Sequence, residues 1–127
     1  MHIPRAAQRR YEVAVAVFMH FPGLTRGQYD GLMADLRLDT NPPGGEILHV
    51  AAESQGGINV CDLWQTKESA EAFVERSLRP ALAARGVDVE LSIDVLPLRN
   101  VFAPDLDTLG RLGAVSLPAH EAGSPLH

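Results

Sequence analysis

Residues 11–21, YEVAVAVFMHF, form a Val-rich apolar run that ends at Pro22-Gly23. The length of the run and its β-branched side chains predict a strand, and alternate side chains of a strand point to opposite faces. By this alternation, one face holds Val13, Val15, Val17 and Met19, and the other holds Ala14, Ala16, Phe18 and His20. Because both faces are largely apolar, a sheet built on this strand needs a cover on each side.

A helix and a hairpin are expected next. Thr25 and Gln28 form a capping-box pattern, and an apolar stripe at helical spacing follows at Tyr29, Leu32, Met33 and Leu36. After a Pro- and Gly-rich loop, residues 46–52 and 58–65 read as two strands joined by a turn at 54–57 that contains two glycines.

The second helix is predicted to begin after Thr66 and to end near Gly86, which is placed to cap it. Pro80 lies inside this stretch and should kink or restart the helix, because proline has no backbone N–H to donate. Residues 87–96, VDVELSIDVL, alternate as a half-buried strand does, with Glu90, Ser92, Asp94 and Leu96 opposite Val89, Leu91, Ile93 and Val95.

This order of elements predicts an α+β domain of the ferredoxin-like kind, β-α-β-β-α-β, with an antiparallel sheet and both helices on one face. We assign the domain to residues 11–102, an N-terminal arm to 1–10 and a C-terminal tail to 103–127. Leucines at every third position allow a short helix at 105–112. Otherwise the tail is disordered or packs on a partner.

Composition narrows the classes of function. The formal net charge of −5 argues against a nucleic-acid-binding protein, whose binding face is normally basic. The chain has one cysteine, no signal-peptide pattern and no apolar stretch long enough to span a membrane, so we expect a cytoplasmic protein.

The second apolar face of the sheet predicts a homodimer. The helices cover one side of the sheet, and the same alternation assigns to the other side Ala14, Ala16, Phe18, Ile47, Ala51, Val60 and Trp64. Two such faces packed together with twofold symmetry would bury the patch and enclose a barrel-like space. The alternative is a monomer whose tail covers this side.

The chain resembles the dimeric α/β-barrel superfamily, including its antibiotic-biosynthesis-monooxygenase-like members. The resemblance covers residues 11–102 and rests on element order, the opening VAVFMHFPGLT, the strand end Asp62-Leu63-Trp64, the helix start TKESAEAF and the segment LRPAL. It implies the ferredoxin-like fold and a homodimer. Members include cofactor-free oxygenases of polycyclic phenols, haem-degrading enzymes, dismutases, decarboxylases, isomerases and proteins without known activity, so the fold alone does not select a function.

His49 and Asp62 are the candidate catalytic residues. An imidazole titrates near neutral pH, so His49 could act as a general base, and a carboxylate among apolar neighbours needs a partner. If the two face each other across the hairpin, Asp62 would orient His49. A structural hydrogen bond or ion pair at the dimer interface explains the same residues.

The candidate ligand-binding residues are assigned to the open face: Phe18, His20, Trp64, Ser92 and Asp94. Trp64 offers a flat surface for an aromatic molecule but is equally suited to a core. His20 can lie at the cavity mouth, and Ser92 and Asp94 can face solvent. Cys61 falls on the helix-covered face and reads as a small buried apolar residue.

No metal or cofactor is expected. The histidines lack zinc-ligand spacing, the glycine pairs lack a phosphate-loop context, and no nucleophile elbow occurs. Haem is disfavoured because residues 66–85 contain no histidine. Two functions lead: a non-catalytic protein that binds a small apolar or aromatic molecule in the cavity, or a cofactor-independent monooxygenase-like enzyme with His49 as base. Isomerase or decarboxylase chemistry, or a barrel filled by its own side chains, would also fit this sequence.

Overall fold

The computed structural model describes residues 14–116, without the side chains of 114–116. Strand β1 (Val15–Pro22) is followed by helix α1 (Arg26–Leu36), strand β2 (Glu46–Ser54) and strand β3 (Gly57–Trp64). The second helical region comprises α2 (Lys67–Phe73), a π-helical segment (Val74–Leu78) and α3 (Arg79–Ala84). Strand β4 (Ser92–Pro97) and helix α4 (Leu106–Ser116) complete the described chain.

The four strands form one antiparallel sheet in the order β2-β3-β1-β4. This order, together with the β-α-β-β-α-β sequence of elements, is the predicted ferredoxin-like α+β fold. The buried cluster lies between the sheet and the helices and includes Val17, Leu32, Trp64 and Leu78. Among residues 14–116, no helix has both the length and the apolar character needed to cross a bilayer.

Local signals set the helix boundaries. Thr25 caps α1 by accepting from the Gln28 N–H (3.1 Å), and the Gln28 side chain accepts from the Thr25 N–H (2.9 Å). Pro80 lies in the first turn of α3, where proline is tolerated. The helical conformation is continuous from Lys67 to Ala84 and changes from π to α at Arg79, so the predicted break is limited to this change. Gly86 follows α3 at φ 68°, the left-handed conformation that favours glycine.

The last strand is shorter than predicted, because residues 87–91 are not in the sheet. Strand β4 lies at an edge and pairs only with β1, from Ser92 opposite His20 to Pro97 opposite Val15. Since β1 ends at Pro22, residues 87–91 have almost no strand left to pair with. The predicted C-terminal helix is present and extends to Ser116; the predicted arm and residues 117–127 of the tail lie outside the described residues, as do residues 11–13 of the first strand.

The predicted faces are right for β1 and β4 and wrong for the hairpin. The pairing places Val17, Asp62 and His49 in one cross-strand row, beneath the helices. The next row, Phe18, Cys61 and Val50, therefore lies on the open side. His49, Asp62 and Trp64 thus belong to the helix-covered face, and Cys61 to the open face.

The error arises because β3 is apolar on both faces, so its alternation does not say which face the helices cover. Ile58, Val60 and Trp64 are all at most 4% exposed and belong to the core cluster. In β2, a bulge between Glu46 and Leu48 also shifts the register, and a one-residue shift moves side chains to the opposite face.

The open face remains apolar with different hairpin residues. Phe18 is 46% exposed, Val50 46% and Leu96 50%. Leu48, Cys61 and Leu63 lie on the same face. Within residues 14–116 this face is apolar, as predicted, although Val60, Ala51 and Trp64 do not contribute to it.

Candidate active site

A chain of hydrogen bonds joins three side chains between α1 and the hairpin. His49 Nδ1 donates to Asp62 Oδ1 at 2.6 Å, and His49 Nε2 lies 2.6 Å from the hydroxyl oxygen of Tyr29. The Tyr29 and His49 rings are stacked at an interplanar angle of 7°, with centroids 6.1 Å apart. The structure therefore brings together the two predicted catalytic residues and adds Tyr29.

Each side chain is positioned by an ordinary feature of its element. Tyr29 lies one turn into α1, on the stripe that faces the sheet, and a buried tyrosine hydroxyl needs a polar partner. His49 and Asp62 are directly paired residues of β2 and β3, so their side chains leave the sheet side by side. Asp62 is 1% exposed, and its carboxylate accepts the hydrogen bond from His49.

The hydrogen bonds of His49 determine which of its ring nitrogens carries a proton. Because a carboxylate only accepts, Nδ1 carries a proton, and in the neutral ring Nε2 accepts from the Tyr29 hydroxyl. Burial favours the neutral ring, but the hydrogen bond and charge of Asp62, with the charge of Glu46, outweigh it and raise the pKa of His49. Asp62 therefore selects the tautomer and stabilises the imidazolium, the role of the carboxylate in acid–base triads.

Tyr29 remains a hydroxyl at neutral pH. Burial raises its pKa far above the ordinary value, and the charges of Asp62, Asp30 and Glu46 raise it further. A phenol that holds its proton this tightly can donate a hydrogen bond or pass a proton along, but it cannot serve as the base itself.

Glu46 is the fourth titratable group of the site. Its pKa is raised to about 7, first by burial and then by the charge of Asp62, while His49 partly offsets the rise. Its Oε2 atom is buried and has no hydrogen-bond partner among the described residues. A carboxyl group in this position can hold a proton near neutral pH.

A cation is a possible occupant of the same cluster. Glu46, His49 and Asp62 each offer one ligand atom, and these atoms lie within 4.8 Å of one another. Both nitrogens of His49 are already hydrogen-bonded, to Tyr29 and Asp62, so a metal ion would have to replace one of these bonds. The arrangement suits proton transfer better than metal binding.

The space beside the site is small. An enclosed apolar cavity of about 10 Å³ is lined by side chains of α1, the sheet and the π-helical region, including Tyr29, His49 and Asp62. This volume is at the lower limit for a single water molecule. The His49 side chain is 22% exposed to solvent, but a molecule larger than water enters this cavity only if part of the lining moves.

The remaining predicted site residues are not near His49. Phe18, His20, Ser92 and Asp94 lie on the open face as predicted, where His20 Nδ1 donates to Asn59 Oδ1 at 2.8 Å. Trp64 is 1% exposed and packs on Phe73 with ring centroids 5.3 Å apart, so it is a core residue here. It does not reach the open face.

Sequence reasoning missed Tyr29 and Glu46. Tyr29 is one member of the apolar stripe of the first helix, and its hydroxyl, the only polar group on that stripe, is the signal that could have found it. Glu46 opens β2 just before the bulge, and no local pattern indicates that such a residue points inward.

Several solved structures have the same fold as this chain. SnoaB, a cofactor-independent oxygenase from Streptomyces nogalater, aligns with a TM-score of 0.55 and 11% identity over 73% of this chain and 99% of its own. A protein of unknown function from Nitrosomonas europaea gives 0.52 and 17% over 75% and 98%. A conserved protein from Methanosarcina mazei gives 0.51 and 11% over 72% and 99%.

The chain shares the ferredoxin-like α+β fold of these solved structures, among them a cofactor-independent oxygenase. Neither a protein-family profile nor a curated protein sequence matches it. At identities this low the similarity establishes the fold, and fold does not determine function. The function of this chain therefore depends on the chemistry of the site around His49.

Proposed function

We propose that this chain is a cofactor-independent, monooxygenase-like enzyme that takes a proton from an apolar aromatic hydroxyl compound. The observation that carries the proposal is the chain Asp62–His49–Tyr29, with both imidazole nitrogens hydrogen-bonded at 2.6 Å. An oriented imidazole of this kind is a general base suited to neutral pH. SnoaB, described as a cofactor-independent oxygenase, has the same fold.

In the proposed reaction, the substrate hydroxyl bonds to Tyr29 or takes its place at His49 Nε2. The proton moves to Nε2, directly or through the Tyr29 hydroxyl, and Asp62 stabilises the resulting imidazolium. The apolar surroundings disfavour a free phenolate, which makes the bound anion more reactive toward an oxidant.

Dioxygen is the co-reactant. The phenolate gives an electron to dioxygen, and the two radicals combine at a ring carbon that carries hydrogen to form a peroxide anion. The proton held on His49 Nε2 returns to this anion, which gives a hydroperoxide and restores the base. Loss of water then leaves a quinone, so one oxygen atom enters the product and the other departs in water. The substrate is oxidised by four electrons and the dioxygen is reduced by four.

The test is oxygen uptake and quinone formation with a panel of naphthols and anthrones. We expect His49→Ala to lower kcat about 100-fold or more, as is typical for loss of a general base. Asp62→Asn should lower the rate less and move the rising limb of the pH profile to lower pH, because Asp62 raises the pKa of His49. Glu53→Gln, an exposed carboxyl group paired with Arg26, is the matched control.

Tyr29→Phe separates a proton relay from a simple hydrogen bond. A relay predicts a large fall in kcat with little change in KM. Turnover that persists in His49→Ala at the wild-type rate would refute the proposed base.

A second candidate function is binding at the open face. We propose that two copies pair through this face, since Phe18, Val50 and Leu96 are each about half exposed there. A small apolar or aromatic molecule would then lie between the sheets, beside Phe18, with His20, Ser92 and Asp94 at its polar edge. Binding of this kind would be weakened by Phe18→Ala and unaffected by His49→Ala, which distinguishes the two functions.

A further inference from the structure

A surface groove lies next to the enclosed cavity. It has a volume of about 490 Å³ and runs between the connection that follows α1 and the second helical region. Pro42 and Pro43 form one side, Ser77 and Ala81 the other. A volume of this size falls within the range of small-molecule sites.

Three residues separate this groove from His49. Leu36, Leu38 and Phe73 line both the groove and the enclosed cavity that contains His49 and Tyr29. The groove and the cavity therefore share these three apolar side chains as a common wall.

Leu38 is the least constrained part of this common wall. Phe73 is 8% exposed and packs on Trp64 within the core. Leu38, by contrast, follows the end of α1, where Arg37 adopts φ 53° and closes the helix, and it lies in a connection without helix or strand structure. Its side chain can turn aside without breaking a helix or the sheet, as is typical of segments that admit ligands.

We propose that the groove is the entry site for the aromatic substrate and that Leu38 is the movable wall between it and His49. The lining combines leucine, proline and phenylalanine side chains with Asp35, Asn41 and Ser77, and more of its surface is polar than apolar. It therefore suits a flat aromatic molecule that carries hydroxyl or carbonyl groups. The identity of the ligand rests on the proposed function, whereas the route to His49 does not.

The test measures access to His49 rather than turnover. Diethyl pyrocarbonate acylates unprotonated imidazole nitrogens, and peptide mass spectrometry reports labelling of His49 relative to His20, which lies on the opposite face of the sheet. We expect Leu38→Ala to raise this ratio about tenfold, since it removes one of the three side chains that stand between the groove and the cavity. We expect Leu38→Trp to lower it, and a naphthol to protect His49.

Leu82→Ala is the matched control, because Leu82 is a 6% exposed core leucine that lines neither space. A ratio unchanged in Leu38→Ala, or raised equally in Leu82→Ala, would overturn the assignment of Leu38. On the unmodified protein, a naphthol should shift the methyl NMR signals of Leu36, Leu38 and Ala81; no shift would overturn the groove as an entry site. If access rises in Leu38→Ala while no phenol is oxidised, the route stands and the oxygenase proposal fails.

Discussion

The charge balance around His49 comes from residues that are distant in the sequence. Asp62 supplies the hydrogen bond and the negative charge that raise the pKa of His49 against the effect of burial. The same negative charge, added to burial, raises the pKa of Glu46 and Tyr29. The buried Asp62 carboxylate therefore favours the protonated forms of His49, Glu46 and Tyr29.

The site makes stability depend on pH in a defined direction. The pKa of Glu46 is about 7 in the folded chain against an ordinary 4.5, so folding favours its protonated form. Its contribution to stability is complete below pH 4.5 and is lost as the pH rises through 7. The raised pKa of His49 acts in the same direction, with a loss that begins above the ordinary value for histidine.

We therefore expect the free energy of unfolding to fall as the pH rises from about 5 to 8, and Glu46→Gln to remove about 1–2 kcal/mol of this fall after allowance for solvent screening. Urea unfolding at several pH values measures the effect. Glu53→Gln should leave the slope unchanged, because Glu53 is exposed. An identical slope in Glu46→Gln would show that this carboxyl group is not buried as described.

At the scale of elements, the β2–β3 hairpin positions His49 opposite Asp62. Its turn depends on Gly57, which has φ 134° and whose added Cβ would collide with the carbonyl oxygen of Phe21. Neighbouring Gly56 has open space at the same position and no unusual φ. The two glycines are adjacent in the sequence, but only Gly56 has the space and the backbone conformation to accept a Cβ atom.

We expect Gly57→Ala to lower the free energy of unfolding by about 2 kcal/mol or more, and Gly56→Ala to change it by less than about 0.5 kcal/mol. Chemical denaturation of both variants measures the difference. Because the hairpin sets the pairing of His49 with Asp62, Gly57→Ala should also shift the His49 imidazole NMR signals. Equal stability of the two variants would contradict the described turn.

At the scale of the whole molecule, the open face leaves apolar side chains of the described chain exposed to water. A partly exposed row crosses the sheet through Val50, Cys61 and Phe18. Helices α1 to α3 pack against the opposite side of the sheet, so the exposed apolar side chains on this side need another surface to shield them from water.

We expect the protein to be a dimer by light scattering after size-exclusion chromatography, and Phe18→Glu or Val50→Glu to shift it to monomer, since a buried unpaired charge at a paired interface is strongly unfavourable. Gln55→Glu, which adds the same charge in the exposed hairpin turn, should remain dimeric. A monomeric wild-type protein would remove the proposed pairing and leave the His49 site untouched, because that site lies on the other face.

The sequence by itself determined the order of elements and the Thr25 and Thr66 caps. These features depend on side chains and backbone groups within about one helical turn of each other, which a sequence displays directly. The identity of His49 and Asp62 as a pair also came from the hairpin pattern, because a short turn fixes which residues of its two strands are neighbours.

Only the tertiary structure decided on which side of the sheet this pair lies and what it meets there. Strand β3 is apolar on both faces, so the burial of Asp62 and Trp64 under the helices depended on the pairing of β3 with β1, a strand far earlier in the chain, where Val15 lies opposite Trp64. Tyr29 reaches His49 for the same reason, across 20 residues of sequence. Long-range register is set by the packing of whole elements, and no local pattern encodes it.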